Sequence, residues 1–214
     1  MKNIVLIFFL FACNNVIAQD IQYNYDKANR LVKIIYPSET KYLIYTYDAD
    51  GNRIQSNVAA SQICSGSIAS FYSGIANGNV YQWQVNQGTG YNNVNNDAIH
   101  SGATTGTILL TNPPTSWYGY TYRCMITTNT GQVYSVPDTL KFYAYWSGNL
   151  NTAWNNPSNW KCNVIPDANT DVIIDATAAR YPVVSIDAFC RSLSASGAVA
   201  SVIVLNGSKL TITH

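Results

Sequence analysis

Apolar and polar positions alternate in short runs along most of the chain, which is the pattern of half-buried strands with side chains on opposite faces. Segments 31–36 and 42–47 read this way, with turns at 37–40 and 48–52 between and after them. Segments 80–85, 107–110, 119–127, 132–136 and 139–143 follow, separated by turns about every ten residues. The last third gives strands over 171–175, 182–186, 192–193, 202–205 and 209–212, punctuated by Gly197 and Asn206-Gly207. The pattern predicts an all-β chain. It divides into residues 1–18, 19–58, 59–143 and 144–214.

The first of these divisions is a secretion signal by its layout. Lys2 supplies the charge, and residues 4–12 form an apolar run too short to span a bilayer. Val16-Ile17-Ala18 sets a cut ahead of Gln19. Leu10-Phe11-Ala12-Cys13 also resembles a lipobox, in which Cys13 would carry lipid. Phe11 is bulky for that motif, so cleavage after Ala18 is favoured.

Composition fits an exported β protein. Charged residues are 11% of the chain, against about 25% in typical domains. Of twelve Lys and Arg, Lys2 leaves with the signal, and the remaining eleven balance eleven Asp and Glu. A neutral chain without charge runs is a poor partner for nucleic acid or an anionic membrane. No second apolar stretch is long enough for a transmembrane segment.

Four cysteines remain after signal removal: Cys64, Cys124, Cys162 and Cys190. An even number in an exported chain predicts disulfides, and four allow three pairings. Their clustering favours Cys64–Cys124 and Cys162–Cys190, one in each half. No close ligand pair accompanies them and only two His exist, so no metal site is expected. Asp48-Ala49-Asp50-Gly51-Asn52 looks faintly like a calcium loop, but Gly51 is fourth rather than sixth and Ala59 stands at the twelfth place. The turn reading prevails.

Tyr23-Asn24-Tyr25-Asp26 recurs as Tyr45-Thr46-Tyr47-Asp48, with Asn29 and Gly51 in equivalent places suited to a left-handed turn. The spacing of 22 residues resembles the YD, or rearrangement-hotspot (RHS), repeat. That family forms long sheets or shells from many copies. About two copies enclose nothing, so its encapsulating role does not transfer.

Residues 59–143 carry Cys64, Trp83 in Tyr-Gln-Trp-Gln, and Tyr122-Arg123-Cys124. They resemble the immunoglobulin-like modules of Bacteroidetes surface proteins. The resemblance implies a β-sandwich with Trp83 buried between sheets and Tyr122 holding a tyrosine corner through a hydroxyl-to-backbone bond. Cys64 lies 19 residues before Trp83, at the start of its strand rather than within it, which makes its bridge peripheral.

Residues 144–214 begin with Trp146-Ser147-Gly148, Trp154 and Asn159-Trp160 ahead of the regular strands. They resemble the beginning of a parallel β-solenoid in bacterial surface proteins, where tryptophans cap the first rung. The chain stops as the rungs become regular, and the open end is expected to self-associate.

Little catalytic chemistry is present. His100 is the one His away from the terminus and is expected to face solvent; Glu39 is the sole Glu. No nucleophile elbow, metalloprotease helix or phosphate loop occurs. The chain therefore reads as a non-catalytic extracellular structural or adhesive protein without cofactor, partnered by a surface protein or glycan. A second reading is a carbohydrate-binding module, with Trp117, Tyr118, Trp146 and Trp154 as candidate glycan contacts. A third is the non-catalytic fragment of a larger secreted enzyme.

Overall fold

The computed structural model describes residues 21–26, 28–35, 42–47, 50–75, 80–195 and 200–214. The signal reading, Cys13, the turn at 37–40 and Gly197 lie outside the described residues. The described chain is all-β apart from two single turns of 3-10 helix.

Strands β1 (Gln22–Tyr25), β2 (Leu31–Ile35), β3 (Tyr42–Tyr47) and β4 (Arg53–Ala59) form an antiparallel sheet in chain order. Two of these strands, β1 and β4, are not predicted by the alternation. The turn chemistry is as expected: Asn29 has φ 62° and Gly51 φ 88°, the left-handed region open to Gly and tolerated by Asn. Asp26 closes the first turn, accepting from the backbone N–H of Ala28 and Arg30. Each turn sits beside a register shift, at Asn24/Tyr25 and at Thr46/Tyr47. Tyr42 and Ile44 are buried against the next body through Tyr72.

That body is a sandwich. It is built from β5 (Gln62–Ile63), β6 (Ile68–Tyr72), β7 (Val80–Asn86), β8 (Tyr91–Asn93), β9 (His100–Ser101), β10 (Thr107–Thr111), β11 (Thr121–Thr128), β12 (Gly131–Tyr134) and β13 (Asp138–Thr139). One sheet has the order β6-β10-β9, the other β12-β11-β7-β8 with β13 also on β11. This two-sheet order is immunoglobulin-like. Trp83 and Cys124 are opposite each other on β7 and β11 and both face inward. Trp83 is 1% exposed and donates its indole N–H to the carbonyl of Thr105 at 2.9 Å.

The third body begins on a strand shared with the second. In β14 (Lys141–Tyr145), Phe142 belongs to the sandwich core and Ala144 to the C-terminal core. The strand pairs in parallel with β5 on one side and with β15 (Asp171–Ile174) on the other. Further parallel pairs follow, of β15 with β18 (Ser192–Ala195), β16 (Val183–Val184) with β19 (Ile203–Val204), and β17 (Ala188–Cys190) with β20 (Leu210–Ile212). Partners lie about one fixed stretch apart, since Val172 meets Leu193, Val183 meets Ile203 and Ala188 meets Leu210. No closed solenoid is formed among the described residues.

The disulfide expectation is corrected. Cys64 bonds Cys162, with Cα atoms 6.0 Å apart, and Cys124 and Cys190 are free and buried. The reason is positional. Cys64 lies before β6, at the end of the sandwich, while Cys124 is in the middle of β11. Ala69 and Phe71 of β6 fill the interior facing Trp83 and Tyr122; Phe71 stacks on Tyr122 at 4.7 Å. Cys190 sits in the separate C-terminal core.

Candidate functional site

The tryptophans of the third body are core. Trp146, Trp154 and Trp160 are 1%, 2% and 1% exposed. Trp160 makes T-shaped contacts with both others at 5.0 and 4.9 Å, the arrangement that matches a positive ring edge to a negative face. Trp146 and Trp160 donate their N–H groups to the carbonyls of Arg180 and Trp154.

The motif residues beside these rings are explained by the same packing. Gly148 has φ +59°, and a Cβ there would stand 2.2 Å from the Arg180 carbonyl. Asn159 is wholly buried. Its carboxamide accepts from the N–H of Leu150 and Asn151, and donates to Asn151 Oδ1 and the Ala153 carbonyl. A buried polar group is retained where its bonds are met. Trp146 and Trp154 therefore cannot be glycan contacts, and that expectation is corrected.

Trp117 and Tyr118 are also engaged, at the corner between β10 and β11. Trp117 lies between His100, at 5.3 Å, and Tyr120, at 5.6 Å, stacked on both. Tyr118 reaches across to the third body. Its hydroxyl donates to Asp171 Oδ2 at 2.6 Å, and the Arg191 guanidinium lies 4.0 Å from its ring. Arg191 also pairs with Asp171 Oδ1 at 3.0 Å, which Ser192 contacts too. Thr115 donates to Asp167 at 2.5 Å. Burial and the bond to Asp171 push the Tyr118 phenol well above its ordinary range. The loss of a proton is opposed there by a buried carboxylate.

His100 is not solvent-facing, as the sequence had suggested. It is 8% exposed, with Nδ1 3.0 Å from Asp97 Oδ2 and Nε2 3.3 Å from the Tyr122 hydroxyl. Tyr122 thus holds the corner through a histidine rather than a backbone atom. Backbone N–H donation from His100, then its ring, hold the Asp97 carboxyl down at about 2. The free thiols are poor nucleophiles despite being reduced. Burial raises Cys124 to about 12 and Cys190 to about 11, and the thiolate is the reactive form.

A cleft of about 830 Å³ opens between the N-terminal sheet and the sandwich. Across it Lys33 Nζ lies 3.4 Å from Asp138 Oδ2, and the Tyr42 hydroxyl donates to the same oxygen. Burial and the Asp138 carboxylate push the Tyr42 phenol far up. The Lys33 ammonium sits 3.7 Å from the centre of the Tyr42 ring. Alternation along β2 and β3 marks these residues as strand members; nothing in it signals that Asp138, 105 residues further on, closes the set. No cluster of three or more metal-binding side chains occurs among the described residues. No helix among them is long and apolar enough to cross a membrane.

Residues 145–214 match a family described as a domain of unknown function, DUF8693. No curated protein matches the chain. Two solved structures share a distant likeness. One, described as the structural basis for Dscam isoform specificity, is 12% identical with a TM-score of 0.30 and covers 52% of this chain and 36% of that one. The other, the N-terminal eight Ig domains of Down Syndrome Cell Adhesion Molecule isoform 1.30.30, is 11% identical with a TM-score of 0.28 and covers 58% and 23%. The chain thus spans well under half the length of either, and scores this low carry neither fold nor function.

Proposed function

We propose that the chain is a non-catalytic structural or adhesive protein of the cell exterior, built from YD-like hairpins, an immunoglobulin-like sandwich and the first rungs of a β-solenoid, in the manner of Bacteroidetes surface proteins. The observation that carries this reading is the junction between the second and third bodies. A strand common to both cores, a disulfide between them and the Tyr118–Asp171–Arg191 cluster all fix one body on the other. Modules joined by flexible linkers need none of these. A stiff junction suits a protein that spaces or presents something else, because its geometry survives pulling and crowding. The tryptophan cluster then serves as the cap of the first rung. Partners are a surface protein or glycan, and further copies meeting at the outer strand edges. The supporting chemistry is what remains after each reactive group is placed: the thiols are buried and protonated, and His100 is held between Asp97 and Tyr122.

The test is limited proteolysis and calorimetry of the mature protein. Residues 60–214 are expected to resist cleavage between the two bodies and to melt as one cooperative unit. Two independent transitions with early cleavage near residues 140–147 would refute the stiff-junction reading. Labelling of intact cells with a membrane-impermeant reagent should reach the protein, and protection from it would refute the location.

A further inference from the structure

We propose that the cleft between the N-terminal sheet and the sandwich binds a neutral oligosaccharide, gripped between tyrosine rings carried by its two walls. The volume, about 830 Å³, falls in the range of about 300–1,000 Å³ usual for small-ligand sites. Tyr25 lines one wall and Tyr134 the other. They are 57% and 49% exposed. Single exposed aromatics are ordinary, but two lining one concavity from opposite bodies leave a large ring surface wet inside a cleft.

Rings on both walls are braced. Tyr134 carries the Arg123 guanidinium 4.1 Å from its centre, and Arg123 is not a cleft-lining residue. Arg123 is in turn clasped by the Tyr91 ring at 3.8 Å and donates to Gln84 Oε1 at 2.9 Å. On the other wall Arg30 lies 4.9 Å from the Tyr47 ring and is held by Asp26 at 2.8 Å. A platform fixed in advance loses little entropy when a ligand settles on it.

Charge selects the ligand class. Among the described residues that line the cleft, the cations and anions are Arg30, Lys33, Asp26 and Asp138. Arg30 is paired with Asp26 and Lys33 with Asp138. With each of these four charges met, an acidic or basic ligand gains nothing from them that the pairs do not already supply, while desolvating its own charge is costly. A nucleic acid would need surplus cations. A saccharide fits on both counts. The C–H groups of its apolar face complement the negative face of a tyrosine ring, and its hydroxyls can donate to the Asp138 carboxylate and accept from Lys33.

The experiment is isothermal titration of the mature chain with hexasaccharides of glucose, xylose and mannose, and with hexagalacturonate as the charged comparison. At least one neutral hexasaccharide is expected to bind and hexagalacturonate to bind more weakly. Tyr134→Ala and Tyr25→Ala should each weaken binding about tenfold, as loss of a central aromatic contact does. Tyr134→Phe should retain it, and Arg123→Ala should weaken it without contacting the sugar. Melting temperatures of the Tyr25 and Tyr134 variants should stay near wild type. Failure of all three neutral sugars at millimolar concentration would overturn the proposal. So would binding unchanged in both alanine variants, preference for hexagalacturonate, or occupation of the cleft only by a tyrosine-rich peptide.

Discussion

At the scale of single residues, the polar chemistry of the sandwich concentrates on Asp97, His100 and Tyr122. Asp97 titrates at about 2 instead of 3.8, chiefly because the His100 N–H donates to it. A carboxyl depressed in the folded state stabilises above its unfolded pKa and loses that contribution as pH falls through its folded value. Its share should be intact at neutral pH and disappear between about pH 4 and 2. Asp97→Asn should therefore flatten the acid limb of the stability curve in that window. An unchanged limb would mean the carboxylate does not stabilise the corner. Because the Asp97 side chain is 56% exposed, solvent screening keeps the effect small. Trp83 is the opposite case, an apolar anchor. Trp83→Ala should cost about 3–5 kcal/mol through the cavity it leaves, and a near-wild-type denaturant midpoint would contradict its place in the core.

At the scale of elements, the decisive piece is β14, whose successive inward residues feed two cores. The bridge beside it spans 98 residues of sequence. Closing so long a loop should stabilise by about 2–4 kcal/mol, chiefly by restricting the unfolded chain. Non-reducing peptide mapping should find Cys64 joined to Cys162 and thiols at Cys124 and Cys190. Recovery of a Cys64–Cys124 peptide would invert the assignment. Tyr118→Phe should cost about 1–3 kcal/mol, since it leaves the buried Asp171 short of a donor, and should lower cooperativity between the two bodies more than overall fold content. The tryptophan elements behave likewise: Trp154→Ala should destabilise by about 3–5 kcal/mol and leave saccharide titrations unchanged.

At the scale of the whole molecule, the parallel layers present outer edges on β18, β19 and β20 that pair with no further strand among the described residues. Ile203, Val204 and Ile212 on them are 54%, 43% and 48% exposed. Unpaired backbone beside exposed apolar side chains is a template for another chain. Light scattering over a concentration series should show reversible self-association of the mature protein. A monomer at high concentration, with residues 200–212 protected from hydrogen exchange, would show that the edge is closed.

The strands and turns were legible in the chain because they follow from local rules: alternation places β2, β3, β7, β10, β11 and β15, and Asn29 and Gly51 mark left-handed turns by residue type alone. The burial of Trp83 is what the resemblance to immunoglobulin-like modules implies, and Trp83 is buried in the sandwich. Partnerships did not follow. Spacing favoured Cys64–Cys124, but Phe71 and Ala69 fill that interior and the chain brings Cys162 to Cys64 instead. His100 reads as a lone loop histidine until folding sets Asp97, Trp117 and Tyr122 around it. Trp154, flanked by polar residues and a turn, is sealed in a core, whereas Tyr134, in an alternating strand, is exposed on a cleft wall. Local sequence fixes backbone preference, whereas contacts between residues far apart in the chain depend on how whole sheets pack.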